Sequence, residues 1–492
     1  MSDAWNTLTA LVGEIDALTG TLGVLEWDQQ VMMPRGGAEA RGAQLALLSR
    51  LLHDRMTDPR LSEALAALSG ETDPVRAAAV RNLRRRTDRA RRVPSRLAEA
   101  QALASSQGFA AWMAAREAGS FAPFQPALER LVGLSQELIA CFGPADHPYD
   151  HLLQDYDPGA STAEISATFD RLEAELVPFV ASLDGGKAPA AVQIRCTEDQ
   201  AMAVSRAVSA ALGYRYDDGR LDLSQHPFTV GLHPGDVRIT THAYPEQLTN
   251  TLWGTVHETG HALYEQGLPV ALRGTGLCEA ASTGIHESQS RFWENFIARS
   301  LPFARWITPL LRQHLPGLEL TPEQLYGHSN RVTRSLIRVH ADEATYNLHI
   351  LVRFGLERRL VEGSLAVADL PEAWDAAYEQ MLGIRPPRLV EGVLQDVHWS
   401  NGLFGYFPSY TLGNLYAASF AATLDSALPE LWAQVEVGDF APILAWLREN
   451  IHQHGHLYDA PELFQRVTGG RDTVADFMAH LRGRQGALYG IS

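Results

Sequence analysis

Basic residues and cysteine are scarce in this chain, and each shortage excludes a class of protein. The 492 residues include 41 Lys and Arg against 58 Asp and Glu, and the only lysine is Lys187. A formal net charge of −17 argues against a nucleic acid partner, because phosphate binding depends on a positive field. The cysteines Cys141, Cys196 and Cys278 are few, odd in number and far apart, so we expect free thiols and neither a disulfide framework nor a cysteine zinc site.

The chain also lacks the sequence features of export and of membrane insertion. Residues 1–5 carry neither the basic nor the apolar region of a signal peptide. No stretch approaches the ~18 consecutive apolar residues of a membrane span. We therefore expect a cytoplasmic protein with no membrane partner.

Recognisable linkers are missing as well. The length suggests about three domains at ~150 residues each, yet no Ser- or Pro-rich break divides the chain. We expect a mostly α fold, with one large helical body over 1–492 that allows for two lobes. The Gly-Gly-Lys-Ala-Pro loop at 185–189 would separate a helical half at about 1–185 from a motif-bearing half at about 190–492.

The most informative pattern is Val-His-Glu-Thr-Gly-His at 256–261. His257 and His261 are four residues apart, so on a helix they share one face and can bind one metal ion. Glu258 beside them can reach a water without binding the metal, as a zinc peptidase requires. The alternative is two surface histidines on an amphipathic helix.

The flanking sequence favours the metal-binding helix. Tyr-Pro-Glu-Gln at 244–247 is typical of a helix start, and Gly267 with Pro269 is typical of a stop. Between them, apolar residues recur at spacings of four, four and seven and would anchor the helix in a core. These residues are Leu248, Leu252, Val256 and Leu263.

A third ligand should come from a separate element, because three protein ligands leave the open position that catalysis requires. Glu287 is the best candidate, in a segment predicted to start a second helix near Ser282 or Thr283. His286 competes with it, but neighbouring residues diverge by about 100° on a helix, so only one of them can face the metal. By itself the segment is also compatible with an ordinary polar helix start.

The conspicuous β signal is Val-Arg-Ile-Thr-Thr-His at 237–242, after the turn residues 234–236. A short strand just before the metal helix would form a small β hairpin or sheet there, with a backbone edge to which an extended peptide could add. A purely structural hairpin is the equal alternative.

Together these motifs resemble the carboxypeptidase Taq family of metallopeptidases. The metal motif is followed by Gly-Ile-His-Glu-Ser-Gln-Ser-Arg at 284–291, which begins the second helix. Other matching segments, spread over most of the chain, are His-Pro-Phe at 226–228, Asp-Val-Arg-Ile-Thr at 236–240, Ile-Arg-Val-His-Ala-Asp at 337–342, Gly-Val-Leu-Gln-Asp-Val-His-Trp at 392–399 and Trp-Asp-Gln at 27–29.

The resemblance also suggests groups that stabilise the oxyanion of peptide hydrolysis. By similarity to related helical zinc peptidases, His398 and either Tyr406 or Tyr410 are the candidate donors. They lie in a glycine-punctuated segment at 396–410. A buried aromatic cluster is the competing explanation for either tyrosine.

A carboxypeptidase must bind the free carboxylate of its substrate, and with a single lysine in the chain this cation should be an arginine. Arg338 and Arg238 lie in matching segments, and the resemblance favours Arg338. Either arginine could instead pair internally, with Asp342 or with Asp236 respectively.

We therefore expect a metallocarboxypeptidase that removes single C-terminal residues from peptides with broad specificity. Zinc is the expected metal, with cobalt and manganese as options for this ligand set. The resemblance implies a homodimer. An oligopeptidase or dipeptidyl carboxypeptidase is the enzymatic alternative, and a metal-stabilised binding protein is the non-enzymatic one.

Overall fold

The computed structural model describes residues 2–491, and most of this part is helical. The predicted mostly α fold is confirmed. The chain divides into two compact units, each assembled from three segments. The first unit contains residues up to 91, 191–329 and 416–471, and the second contains 92–190, 330–415 and the residues from 472 on. The division into halves near residue 185 stays a prediction.

The helices and strands, in chain order, are α1 (Ser2–Val31), α2 (Ala38–Met56), α3 (Pro59–Ala67), α4 (Pro74–Arg92), α5 (Ser95–Ala118), α6 (Gln125–Phe142), α7 (Asp150–Leu153), α8 (Thr162–Ser182), α9 (Glu198–Leu212), β1 (Gly219–Leu223), β2 (Thr229–His233), β3 (Asp236–Thr241), α10 (Leu248–Glu265), α11 (Thr283–Arg291), α12 (Leu301–His314), α13 (Pro322–Ser329), α14 (Glu343–Glu362), α15 (Leu370–Leu382), α16 (Pro408–Ala427), α17 (Leu431–Val437), α18 (Ala441–Asn450), α19 (Ala460–Thr468) and α20 (Thr473–Tyr489).

Helix α1 is long and apolar enough to cross a membrane by length and composition, and 22% of its most apolar window is buried. Its apolar residues are not consecutive, so the sequence shows no uninterrupted apolar run there. One stripe of α1 packs against α3 and α4 in a shared hydrophobic cluster. The stripe consists of Leu8, Leu11, Val12 and Ile15.

The three strands form one small sheet in the order β1-β3-β2. Strand β3 is the predicted one, but it is the central strand, parallel to β1 and antiparallel to β2. The prediction of an open edge on this strand is therefore wrong, because its backbone is paired on both sides. The structural hairpin is formed by β2 and β3, and β2 is an outer strand of the sheet.

The predicted start of α11 is confirmed, whereas α10 begins at Leu248, just after the Tyr-Pro-Glu-Gln segment that was predicted to start it. Helix α10 begins directly after the extended residue Gln247, and its four-residue apolar stripe is buried. Helix α11 begins after Ser282, whose Oγ accepts a hydrogen bond from the Ile285 backbone N–H. The helix then continues as a π-helix over Phe292–Ala298. In the second unit, Asp342 caps α14 by accepting hydrogen bonds from two backbone N–H groups.

Candidate active site

Three side chains of the first unit converge on one point. His257 and His261 lie on α10, and Glu287 lies on α11. The Glu287 Oε2 atom is 3.7 Å from His257 Nε2 and 3.4 Å from His261 Nε2. All three potential ligand atoms lie within 4.8 Å of one another. The pattern at 256–261 and the carboxylate from the second helix thus form one cluster.

The outer nitrogen of each imidazole is hydrogen-bonded away from this point. The His257 Nδ1–H donates to Glu294 Oε2 at 3.0 Å, and the His261 Nδ1–H points at the His286 carbonyl at 3.1 Å. These partners select the tautomer in which both Nε2 atoms are free to accept. Burial, with a smaller contribution from His286, lowers the pKa of His261 to about 3, so this ring is the neutral form that binds metals.

The cluster fits a metal ion. A tetrahedral ion with bonds of about 2.1 Å separates its ligand atoms by roughly 3.4 Å, close to the separations between Glu287 and the two histidines. The Nε2 atoms present lone pairs, and Glu287 presents one oxygen. Three protein ligands of this kind are the donor set of catalytic zinc sites.

His286, the competing candidate, has both ring nitrogens engaged elsewhere. Its Nε2–H donates to Glu265 Oε1 at 2.8 Å, and its Nδ1 lies 2.6 Å from His261 Nδ1. It therefore contacts the outer side of His261, which is the divergence expected of neighbouring residues on α11.

A glycine allows the two helices to approach each other this closely. A Cβ atom at Gly260 would lie 2.6 Å from the Gln289 carbonyl oxygen and 2.6 Å from the Ser290 Cα atom. Real Cβ atoms essentially never make such contacts. Because Gly260 directly precedes His261, the missing side chain sets the distance between the imidazoles and Glu287.

Glu287 is held by a hydrogen-bond network of two arginines and a second carboxylate. Arg291 donates from Nε to Glu287 Oε1 at 2.7 Å and from Nη1 to Glu294 Oε2 at 3.1 Å. Arg299 donates to Glu294 Oε1 at 2.7 Å. Burial raises the pKa values of Glu287 and Glu294, but Arg291 and the other neighbouring cations outweigh it, so both pKa values lie well below the usual range. Glu287 is thus ionised, with Oε1 occupied and Oε2 facing the histidines.

Glu258 is not one of the three grouped ligand residues, and its carboxylate contacts strand β2. Its Oε2 accepts a hydrogen bond from Thr229 Oγ1 at 2.7 Å. Burial raises the pKa of this carboxyl, although His257 and Thr229 act in the opposite direction. A carboxylate with a raised pKa is a stronger base than an exposed one, as proton transfer near neutral pH requires.

Arg238 is paired with a carboxylate of its own strand and packs on an aromatic ring. It donates from Nε and Nη2 to the two oxygens of Asp236, both at 2.9 Å. Its guanidinium also lies 4.6 Å from the centre of the Trp27 ring. This is the internal pairing that the sequence offered as an alternative.

Arg338 belongs to a buried ionic group in the second unit. Asp396 Oδ1 accepts from Arg338 Nε at 3.0 Å and Nη2 at 2.9 Å, and Asp396 Oδ2 accepts from Arg353 Nε at 2.6 Å. Arg338 Nη1 donates to the Tyr346 hydroxyl at 3.0 Å. Arg338 therefore pairs with Asp396. Asp342, which the sequence offered as an alternative partner for Arg338, instead caps α14.

The predicted donors His398, Tyr406 and Tyr410 lie together in the second unit. His398 Nε2 is 3.3 Å from the Tyr410 hydroxyl, and the Tyr406 ring is 5.5 Å from the His398 ring between centroids. Arg338 lies 5.0 Å from the centre of the Tyr410 ring. Burial and then Arg338 lower the pKa of His398 to about 4, so the imidazole is neutral and can donate a hydrogen bond.

Four residues of these clusters were not predicted from the sequence. Arg291 and Glu294 follow Glu287 by four and seven positions, so helical spacing could have found them. Asp396 stands two residues before His398, which is a weak signal. Thr229 has no local signal, because its contact with Glu258 depends on how the sheet packs on α10.

A His-Glu-x-x-His turn with a carboxylate from a second helix defines the class of metallopeptidases that this site resembles. A family model described as carboxypeptidase Taq (M32) metallopeptidase matches residues 7–485. The chain therefore belongs to the M32 family and is a metallocarboxypeptidase that acts on peptides.

Relatives of known identity cover nearly the whole chain. Thermostable carboxypeptidase 1 of Thermus thermophilus is 43% identical over 96% of this chain and 97% of its own length. Carboxypeptidase 1 of Bacillus subtilis is 34% identical over 97% of each. The crystal structure of an M32 carboxypeptidase from Deinococcus radiodurans is 39% identical, with a TM-score of 0.96 over 99% of this chain and 100% of that one.

Proposed function

We propose that His257, His261 and Glu287 bind one divalent metal ion, that this ion is zinc, and that Glu258 is the general base. The observation that carries this proposal is the convergence of three ligand atoms whose side chains are each oriented by a further hydrogen bond. Cobalt and manganese remain options, since all three ions accept imidazole and carboxylate ligands. When bound, the ion supplies Lewis acidity, which polarises a carbonyl and acidifies water.

The residues of the chain carry out the proton transfers. Glu258 takes a proton from the attacking water, because burial makes its carboxylate more basic, and then delivers it to the leaving amine. The Thr229 hydroxyl holds one oxygen of Glu258 and leaves the other for the proton. His398 with Tyr406 or Tyr410 is proposed to donate to the developing oxyanion, on the chemistry of a neutral imidazole beside a phenol.

Charge balance favours Arg338 over Arg238 as the group that attracts the substrate carboxylate. Arg338 and Arg353 share the single carboxylate of Asp396, so this group keeps a net charge of one positive unit. Arg238 and its sheet neighbour Arg220 each have a carboxylate of their own. A buried surplus charge is strongly attractive to an anion in a medium of low dielectric constant.

Titration with metal tests the proposed centre. We expect activity of metal-free protein to rise with added Zn²⁺ until one ion per chain is bound, and Glu287→Gln to bind the ion more weakly. Product masses should fall by one residue at a time, whereas larger fragments would support the oligopeptidase alternative. Activity that continues in Glu287→Gln with no bound metal would contradict the assignment.

The partners, cellular location, oligomeric state and specificity of the enzyme are proposed from other observations. The net charge of −17 supports the absence of a nucleic acid partner. The packing of one α1 stripe into a core supports a cytoplasmic protein with no membrane partner. The homodimer and the broad specificity rest on the family resemblance, and light scattering and a panel of peptides that differ in their last residue would test them.

A further inference from the structure

Glu357 is a buried acid that the proposed mechanism does not use. It lies on α14 in the second unit, and none of it is exposed to solvent. Its Oε1 accepts hydrogen bonds from the Tyr149 hydroxyl at 2.7 Å and from the Gly405 backbone N–H. Its Oε2 accepts from Trp399 Nε1 at 2.7 Å. One carboxylate thus accepts hydrogen bonds from three donors.

Two of these donors lie at the ends of one short loop. Trp399 directly follows His398, and Gly405 directly precedes Tyr406. The Gly405 backbone has a positive φ of 92°, and a Cβ atom there would lie 2.8 Å from the backbone of Leu152. The loop therefore has little freedom at this end, and Glu357 connects its two ends.

We propose that Glu357 is a positioning residue, and that its ionised carboxylate holds the 398–406 segment so that His398 and Tyr406 keep their orientation. The proposal rests on the functional roles proposed above for these two side chains. The ionised form is required because each oxygen already accepts from a donor. A proton on Oε1 would compete with one of its two donors for a lone pair, and a proton on Oε2 would make that oxygen a weaker acceptor for Trp399 Nε1.

The buried surroundings of Glu357 bring its pKa close to neutral pH. Burial raises the pKa of Glu357 to about 7, although all three hydrogen bonds favour the ionised form. Among the residues that the structure describes, no basic side chain contributes to this shift. The facing hydroxyls stay neutral, because burial raises the pKa values of Tyr149 and Tyr156 above the usual range. On the same helix, Arg358 is paired with Glu362 and Arg353 with Asp396.

The direction of the expected pH dependence follows from these hydrogen bonds and from the pKa of Glu357. Above pH 7 the carboxylate is ionised and holds the loop, and as the pH falls below 7 the acid form releases a donor. We therefore expect kcat and the fluorescence of Trp399 to change together near this pH. The Trp399 signal is the difference between the wild-type protein and Trp399→Phe.

The test compares Glu357→Gln with Glu362→Gln, which changes a partly exposed carboxylate at the end of the same helix. We expect Glu357→Gln to bind metal normally but to lose kcat by about tenfold or more, since correct orientation contributes factors of this size. The fluorescence transition near pH 7 should vanish in this variant. Glu362→Gln should behave as the wild type. An unchanged kcat, or a transition that persists in Glu357→Gln, would overturn the proposal.

Two further variants distinguish a wrong role for His398 from a wrong positioning role for Glu357. If His398→Ala keeps wild-type kcat, the role proposed for His398 is wrong, and the positioning role falls with it. If His398→Ala loses kcat while Glu357→Gln does not, only the positioning role is wrong. Should Glu357→Gln fail to fold, Tyr149→Phe combined with Trp399→Phe removes two donors and retains the acid. A fully active double variant would then contradict the proposal.

Discussion

Replacing Gly260 with alanine is expected to separate the two helices that carry the proposed metal ligands. The new Cβ atom would lie 2.6 Å from the Gln289 carbonyl oxygen and from the Ser290 Cα atom, both in α11. Backbone atoms cannot rotate away as the end of a flexible side chain can. Helix α11, and Glu287 with it, must therefore move away from His261.

The size of the shift follows from the contact distances. Ordinary contacts of a Cβ atom begin at 3.4 Å, so relieving a 2.6 Å contact requires a movement of about 0.8 Å. Metal–ligand distances tolerate about 0.2 Å. We therefore expect metal affinity to fall by about tenfold or more. Overpacking costs about 1–3 kcal/mol of folding free energy, and the higher helix propensity of alanine offsets about 1 kcal/mol.

Competition with a chelator would measure the metal Kd of Gly260→Ala, and thermal unfolding would measure its stability. Gly254→Ala is the matched control, because it changes a glycine of the same helix whose Cβ atom would meet only Pro227 Cγ, at 3.7 Å. It should keep wild-type metal affinity and gain up to about 1 kcal/mol of stability. Equal metal affinity in both variants would refute the reasoning.

Five further substitutions test three predictions. Glu258→Gln should keep one metal ion per chain and lose several orders of magnitude in kcat, whereas His261→Ala should lose both metal and activity; near-normal turnover in Glu258→Gln would contradict its role as base. Arg338→Ala should reduce the preference for free-acid over C-terminally amidated peptides, measured as the ratio of kcat/KM values, and Arg238→Ala should preserve it; the reverse result would transfer the role to Arg238. Glu294→Gln should weaken metal binding by about 10–100-fold in a chelator titration, since it no longer orients His257 as a carboxylate, and unchanged binding would exclude that role.

Local sequence signals predicted the helices of the site well, because helix boundaries depend on neighbouring residues. Ser282 precedes α11 as expected, α10 begins just after its predicted start segment, and the helical spacing of apolar residues along α10 identified a buried face. The choice of Glu287 over His286 also followed from local geometry, since residues in sequence on a helix point in different directions. The structure brings Glu287 to the two histidines and turns His286 to Glu265.

The remaining contacts depend on packing that a single sequence does not reveal. The segment 237–242 shows strand propensity, but its central position follows from pairing with β1, which has little signal of its own. The choice of Asp396 over Asp342 as partner of Arg338 is equally non-local, because the pair spans 58 residues. Glu357 stayed unnoticed for the same reason, since its three donors are brought together only by the fold.

The central claim is that His257, His261 and Glu287 bind the catalytic metal, and the most direct test is a crystal structure measured at the zinc absorption edge. We expect one anomalous peak within about 2.0–2.2 Å of His257 Nε2, His261 Nε2 and Glu287 Oε2. His286 should remain hydrogen-bonded to Glu265. A peak bound by His286, or one away from these three atoms, would contradict the account.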